Sequence, residues 1–129
     1  MAELRRGELE IAIECDLRAI VEFERIGHAT GQANAYSNVA EKHLRAGRFE
    51  EAETYCGRAL EHATTLGLSI TVADVTFTLA EVRSEQGRVE DAIELADDAA
   101  AQFLQLGFDD DANAARTFGE RVRAASATV

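Results

Sequence analysis

The chain has 129 residues, a formal net charge of −11, 47% apolar residues and neither proline nor tryptophan. That length fits one domain with a continuous core, and the excess acid repels a nucleic-acid backbone while leaving basic peptides or basic protein surfaces as partners. No apolar run approaches the ~18 residues of a membrane span, and "MAELRRGELE" lacks the apolar segment of a signal peptide, so a soluble, cytoplasmic protein is expected.

Ala, Leu, Glu and Arg dominate, which predicts an all-α chain. The segment "MAELRRG" aligns with the last turn of a helix, like "KHLRAG" further on, and Gly7 would end it. Helices are then predicted over 8–26, 32–46, 48–66, 70–86, 88–106 and 110–125. The first five are each closed by a glycine, the residue that reaches a left-handed conformation at a helix C-terminus without steric cost. Gly47 and Gly87 lead at once into "RFEEAETYC" and "RVEDAIELA"; Gly27, Gly67 and Gly107 are expected to open slightly longer loops.

Six of the nine glycines fall on two series, Gly7, Gly47, Gly87 and Gly27, Gly67, Gly107, each stepping by 40. Glu10, Glu50, Glu90; Ala12, Ala52, Ala92; and Ala19, Ala59, Ala99 keep the same period. Three units follow, 4–43, 44–83 and 84–123, and internal repeats of this length imply an array of stacked helix pairs. Counted as pairs, these are a half repeat over 4–26, full repeats over 27–66 and 67–106, and a capping helix over 108–125, one domain in all. Ala52 and Ala59 lie seven apart on one helical face, small enough for a neighbouring helix to approach closely. Tyr36, Val39, Ala40 and His43 form a stripe on the preceding helix, and Thr76, Leu79, Ala80 and Arg83 repeat it.

With Gly47, Ala52 and Ala59, the stripe Tyr36, Val39, Ala40, His43 resembles the tetratricopeptide repeat, in its longer variant of kinesin light chain and large bacterial regulators. His43 and Cys56 stand where larger rings are usual, and the terminal proline is missing. The resemblance covers residues 4 to about 123 and implies a right-handed superhelix of antiparallel pairs; a HEAT-type array is the structural alternative. It also implies a concave groove lined by the leading helix of each pair. Residue by residue, that lining is Asn34, Ser37, Asn38, Glu41 and Arg45; then Asp74, Phe77, Thr78, Glu81 and Glu85; then Asn113, Arg116, Thr117, Glu120 and Arg123. Asn38 occupies the place where relatives use asparagine to hold a peptide backbone, since an amide both donates and accepts. The acids imply a basic ligand, with Phe77 as its one apolar anchor.

Other groupings point away from chemistry. Asp109, Asp110 and Asp111 precede a predicted helix, where carboxylates cap amides and favour the dipole, without an EF-hand glycine or distal glutamate. His28, His43 and His62 have no ligand spacing, and Ser37, Ser69, Ser84 and Ser126 lie in no nucleophile elbow. Cys15 and Cys56, without CxxC spacing, are expected to pack as small apolar groups. No cofactor, metal or catalytic role is expected.

The first long helix breaks the pattern. Ile13, Leu17 and Val21 stand where the second unit has Glu53, Gly57 and Glu61 and the third has Ile93, Asp97 and Ala101; Ile11 replaces Glu51 and Asp91. Terminal repeats need a polar outer face, so this apolar stripe is expected to be buried in a homodimer through helix 8–26. Two functions are therefore carried forward: a non-catalytic module holding a peptide or protein segment in an acidic groove, or a self-associating structural module or fragment of a larger regulator.

Overall fold

The computed structural model describes residues 2–127, with side chains from residue 6 onward, as six helices. They are α1 (Ala2–Ile26), α2 (Ala29–Arg45), α3 (Phe49–Leu66), α4 (Ser69–Glu85), α5 (Val89–Gln105) and α6 (Asp109–Ala127), with no strand among the described residues. Each helix packs on the next, and α2 also meets α4.

All five links share one construction. Gly27, Gly47, Gly67, Gly87 and Gly107 have φ between 69° and 81°. The N–H of the following residue donates to the carbonyl five residues back, from His28 to Phe23 through to Phe108 to Phe103, at 2.8–2.9 Å. This Schellman closure satisfies orphan carbonyls and turns the chain back directly. The longer loops expected after Gly27, Gly67 and Gly107 are absent, because the closure needs only the glycine and one residue more. Gly7 is different. It has no positive φ and continues α1, so the expected break before residue 8 does not occur. A left-handed glycine is required where two helices fold onto each other, whereas residues 2–6 and the residues after Gly7 belong to one continuous helix. Of the leading turn predicted over "MAELRRG", residues 2–7 belong to α1, and Met1 lies outside the described residues.

Small residues set the packing distance. Ala52, Cys56, Ala59 and Ala63 of α3 are fully buried, as are Ala92, Ala96 and Ala99 of α5, each helix being flanked by two others. On α1, whose main neighbour is α2, Ala12, Asp16 and Ala19 at the same places are half-buried. Asp16 is tolerated there because Lys42 pairs with it. The central helices α2 and α4 touch three helices each and bury two stripes, such as Ala73, Thr76, Ala80 alongside Val75, Val82. On α6 the stripe is Ala112, Ala115, Gly119, one residue short of the earlier register, and a Cβ on Gly119 would lie 3.3 Å from that of Ala96.

The apolar stripe of α1 divides. Ile13 and Ile20 are core residues, 4% and 6% exposed, and Leu17 packs against the same core. Val21 and Ile11 are 65% and 64% exposed. Steps of four rotate a position by about 40° each, so Val21 lies some 80° from Ile13, whereas Ile20 drifts by only about 20°. Ile13 therefore needs no second copy to cover it. Cys15 is exposed, not packed as expected, while Cys56 is buried.

Candidate functional site

The residues of α2, α4 and α6 that point away from α3 and α5 were expected to line one surface, and electrostatics ties several of them together. Asn34 of α2 accepts a hydrogen bond from Thr71 Oγ1 of α4 at 2.9 Å. Glu41 and Arg45 pair at 3.0 Å along α2. On α4, burial pushes the Asp74 carboxyl above its usual range, and the charges of Asp111 and Glu41 push it further. Burial likewise raises Glu81; Arg45 opposes this, while Glu41 and Glu85 add to it. Carboxylates from three helices thus sense one another on one face. Removing water from a charge and crowding like charges both favour the protonated form.

Other predicted residues are placed less favourably. Ser37 is half-buried, and Asn38 is exposed. The Thr78 hydroxyl donates to the Asp74 carbonyl at 3.1 Å, back onto its own helix. Phe77 is half-buried, its ring 5.7 Å from that of Phe118, so it forms part of the α4–α6 contact. Asn113, Arg116, Thr117 and Glu120 are exposed on α6 and none is tied to Asp74 or Glu81. Arg123 faces α5 instead, 3.8 Å from Asp97.

Two participants were missed, Thr71 and Asp111. They occupy equivalent places 40 residues apart, one turn before Asp74 and near the start of α6. The repeat itself could have found them. Asp109, Asp110 and Asp111 sit inside the first turn of α6, where the dipole favours them, and Asp111 also serves the acidic face.

The remaining candidates have structural partners. His28 caps α2, accepting from the Gly31 N–H at 2.8 Å, and its ring packs 5.2 Å from Phe23. His62 Nδ1 meets the Arg58 carbonyl at 2.9 Å, and burial pushes the Cys56 thiol up to about 12. Among the described residues no group of three His, Cys, Asp or Glu is placed to hold a metal, and no described helix is long and apolar enough to cross a membrane. No protein-family model matches this chain, and no curated protein matches it.

Proposed function

We propose that this chain is a tetratricopeptide-type array, a right-handed superhelix of antiparallel pairs. In this reading the α2–α4–α6 face is an acidic, concave groove holding a basic protein or peptide segment, without catalysis, in the cytoplasm. The fold side rests on the 40-residue period and on five identical glycine closures. The binding side rests on one observation: the charges of Glu41 and Asp111 act on Asp74, and those of Glu41 and Glu85 on Glu81, where Arg45 opposes them. A cationic ligand would relieve that crowding and replace the lost solvation.

Titration calorimetry with an oligolysine peptide carrying one phenylalanine tests this. Glu81→Gln with Glu85→Gln should weaken binding roughly fivefold, about 1 kcal/mol. Glu50→Gln with Glu51→Gln, on the exposed start of α3, should change it little, and affinity should fall with salt, since separated charges are screened beyond ~10 Å at 0.1 M. Equal effects of the two pairs, or tighter binding of oligoglutamate, would refute the groove.

A second reading, self-association through α1, is favoured by the exposure of Ile11 and Val21 alone, now that Ile13 and Leu17 serve the core. Ile11→Glu with Val21→Glu leaves the core intact and should convert a dimer to monomer in light scattering. A monomer at tens of micromolar before mutation would dismiss it.

A further inference from the structure

Positions 23, 63 and 103 lie one period apart and hold Phe, Ala and Phe. Phe103 is 2% exposed in the core beside α6. Phe23 packs on His28 and lies over Gly31, where a Cβ would come within 2.8 Å of its ring. Ala63, although fully buried, leaves the corresponding space unfilled. A cleft of about 450 Å³ opens there between the end of α3, the start of α4 and the end of α5. The same place one period earlier, lined by Ala29, Glu61, His62, Thr65 and Leu66, retains only about 210 Å³. Thr71, which replaces Gly31, does not fill the larger cleft, because its hydroxyl is turned to Asn34.

The cleft has a definite chemistry. Ala63, Val72 and Leu106 supply apolar wall, while Thr64, Ser69 and Gln102 supply polar groups. No lining residue ionises, in a chain whose net charge is −11. The Gln102 side-chain carbonyl is buried without a hydrogen-bond partner, an acceptor whose full desolvation is uncompensated. A half-open, largely apolar recess of this size with a few convergent polar groups suits a small ligand.

We propose that this cleft binds a neutral small molecule with an aromatic ring and a hydrogen-bond donor, the ring taking the place that the chain itself gives to phenylalanine at 23 and 103. The site is separate from the acidic face and does not depend on it. Uncharged lining excludes anionic or cationic ligands, for which no counter-charge is present. The donor answers Gln102.

Benzamide is the probe, followed by methyl NMR on the full chain. Saturable shifts are expected at Ala63, Val72 and Leu106, with an affinity on the order of millimolar for so small a ligand. Ala63→Phe should raise the melting temperature by filling the recess and weaken benzamide at least about tenfold. Ser69→Trp, at the exposed mouth, should also weaken it, and it decides the matter if Ala63→Phe fails to fold. Benzoate, the charged analogue, should bind at least about tenfold more weakly. Absence of saturable shifts at those methyls, indifference to Ser69→Trp, or equal binding of benzoate would overturn the proposal.

Discussion

Gly31 and Gly57 both lie inside helices, and helix propensity alone would have alanine improve both. Their surroundings separate them. A Cβ on Gly57 would meet nothing within 4 Å, so Gly57→Ala should stabilise the protein by about 0.5–1 kcal/mol. A Cβ on Gly31 would sit 2.6 Å from His28 Nδ1 and 2.8 Å from the Phe23 ring. Gly31→Ala should therefore destabilise, by about 1–3 kcal/mol, as overpacking does. Urea denaturation of both variants checks the opposite signs. His43 is the other informative residue: it is buried, stacked on Tyr55, and its Nδ1 has no partner. Burial, helped by Arg48 and opposed by Glu51, holds its pKa below the ordinary value. As pH falls below about 6.5 the unfolded chain takes up this proton before the native one, so stability drops until the folded pKa is reached. His43→Phe should abolish that slope and add about 1 kcal/mol at pH 7 by removing an unsatisfied atom. An unchanged slope between pH 7 and pH 5 would show that other groups produce it.

At the scale of helices, position in the stack decides what a repeated residue does. Ala52 and Ala59 are fully buried between neighbours, whereas Ala12 and Ala19 on α1 are half-buried. Ala52→Leu or Ala59→Leu should cost about 1–3 kcal/mol by thermal denaturation, and Ala19→Leu clearly less. Equal costs would mean that the close crossing is misplaced. The same dependence appears where helix pairs meet. Arg83 of α4 and Glu53 of α3 form an ion pair, and bonds from Arg83 and Gln86 hold the Glu53 carboxyl below its usual range. One period earlier the equivalent residues are His43, uncharged by burial, and Ile13, in the core. An apolar residue and a neutral ring replace a charged pair at equivalent register, so the repeat conserves geometry more than chemistry.

For the whole molecule, the acidic face costs stability, and the proposed basic ligand would offset that cost. The folded pKa of Asp74 and of Glu81 lies above the unfolded one. As pH rises, the unfolded chain releases these protons first, and native stability falls through the interval between the two values; above the raised value the penalty is complete. Glu81→Gln should thus stabilise the protein at pH 7 while weakening a basic ligand, and flatten the loss of stability as pH rises out of the carboxylate range. Denaturation curves from pH 4 to pH 7, compared with peptide affinity, read both effects. A variant that loses stability and affinity together would show that Glu81 is structural.

The helices and the five turns from Gly27 to Gly107 were legible because both are local: a left-handed glycine every 20 residues and small residues at helical spacing carry their own geometry in the backbone, whereas the starts of α1 and α2 were placed too late. The same period showed one buried stripe on α2 and α4; the second, Val75 and Val82 on α4, appears only in the packing. What the chain cannot write locally is which face of an end helix finds cover, and for α1 the rotation that buries Ile13 and Ile20 but exposes Val21 follows from its packing on α2. The acidic face is similar: its members were largely named from the repeat, but their mutual effect required α2, α4 and α6 to bring Glu41, Asp74 and Asp111 within electrostatic reach. The cleft beside Ala63 was invisible in sequence, although Phe23, Ala63 and Phe103 stood in register throughout. An alanine at that period reads as good packing, and only three converging helices reveal the volume it leaves open, because empty space belongs to an arrangement and to no residue.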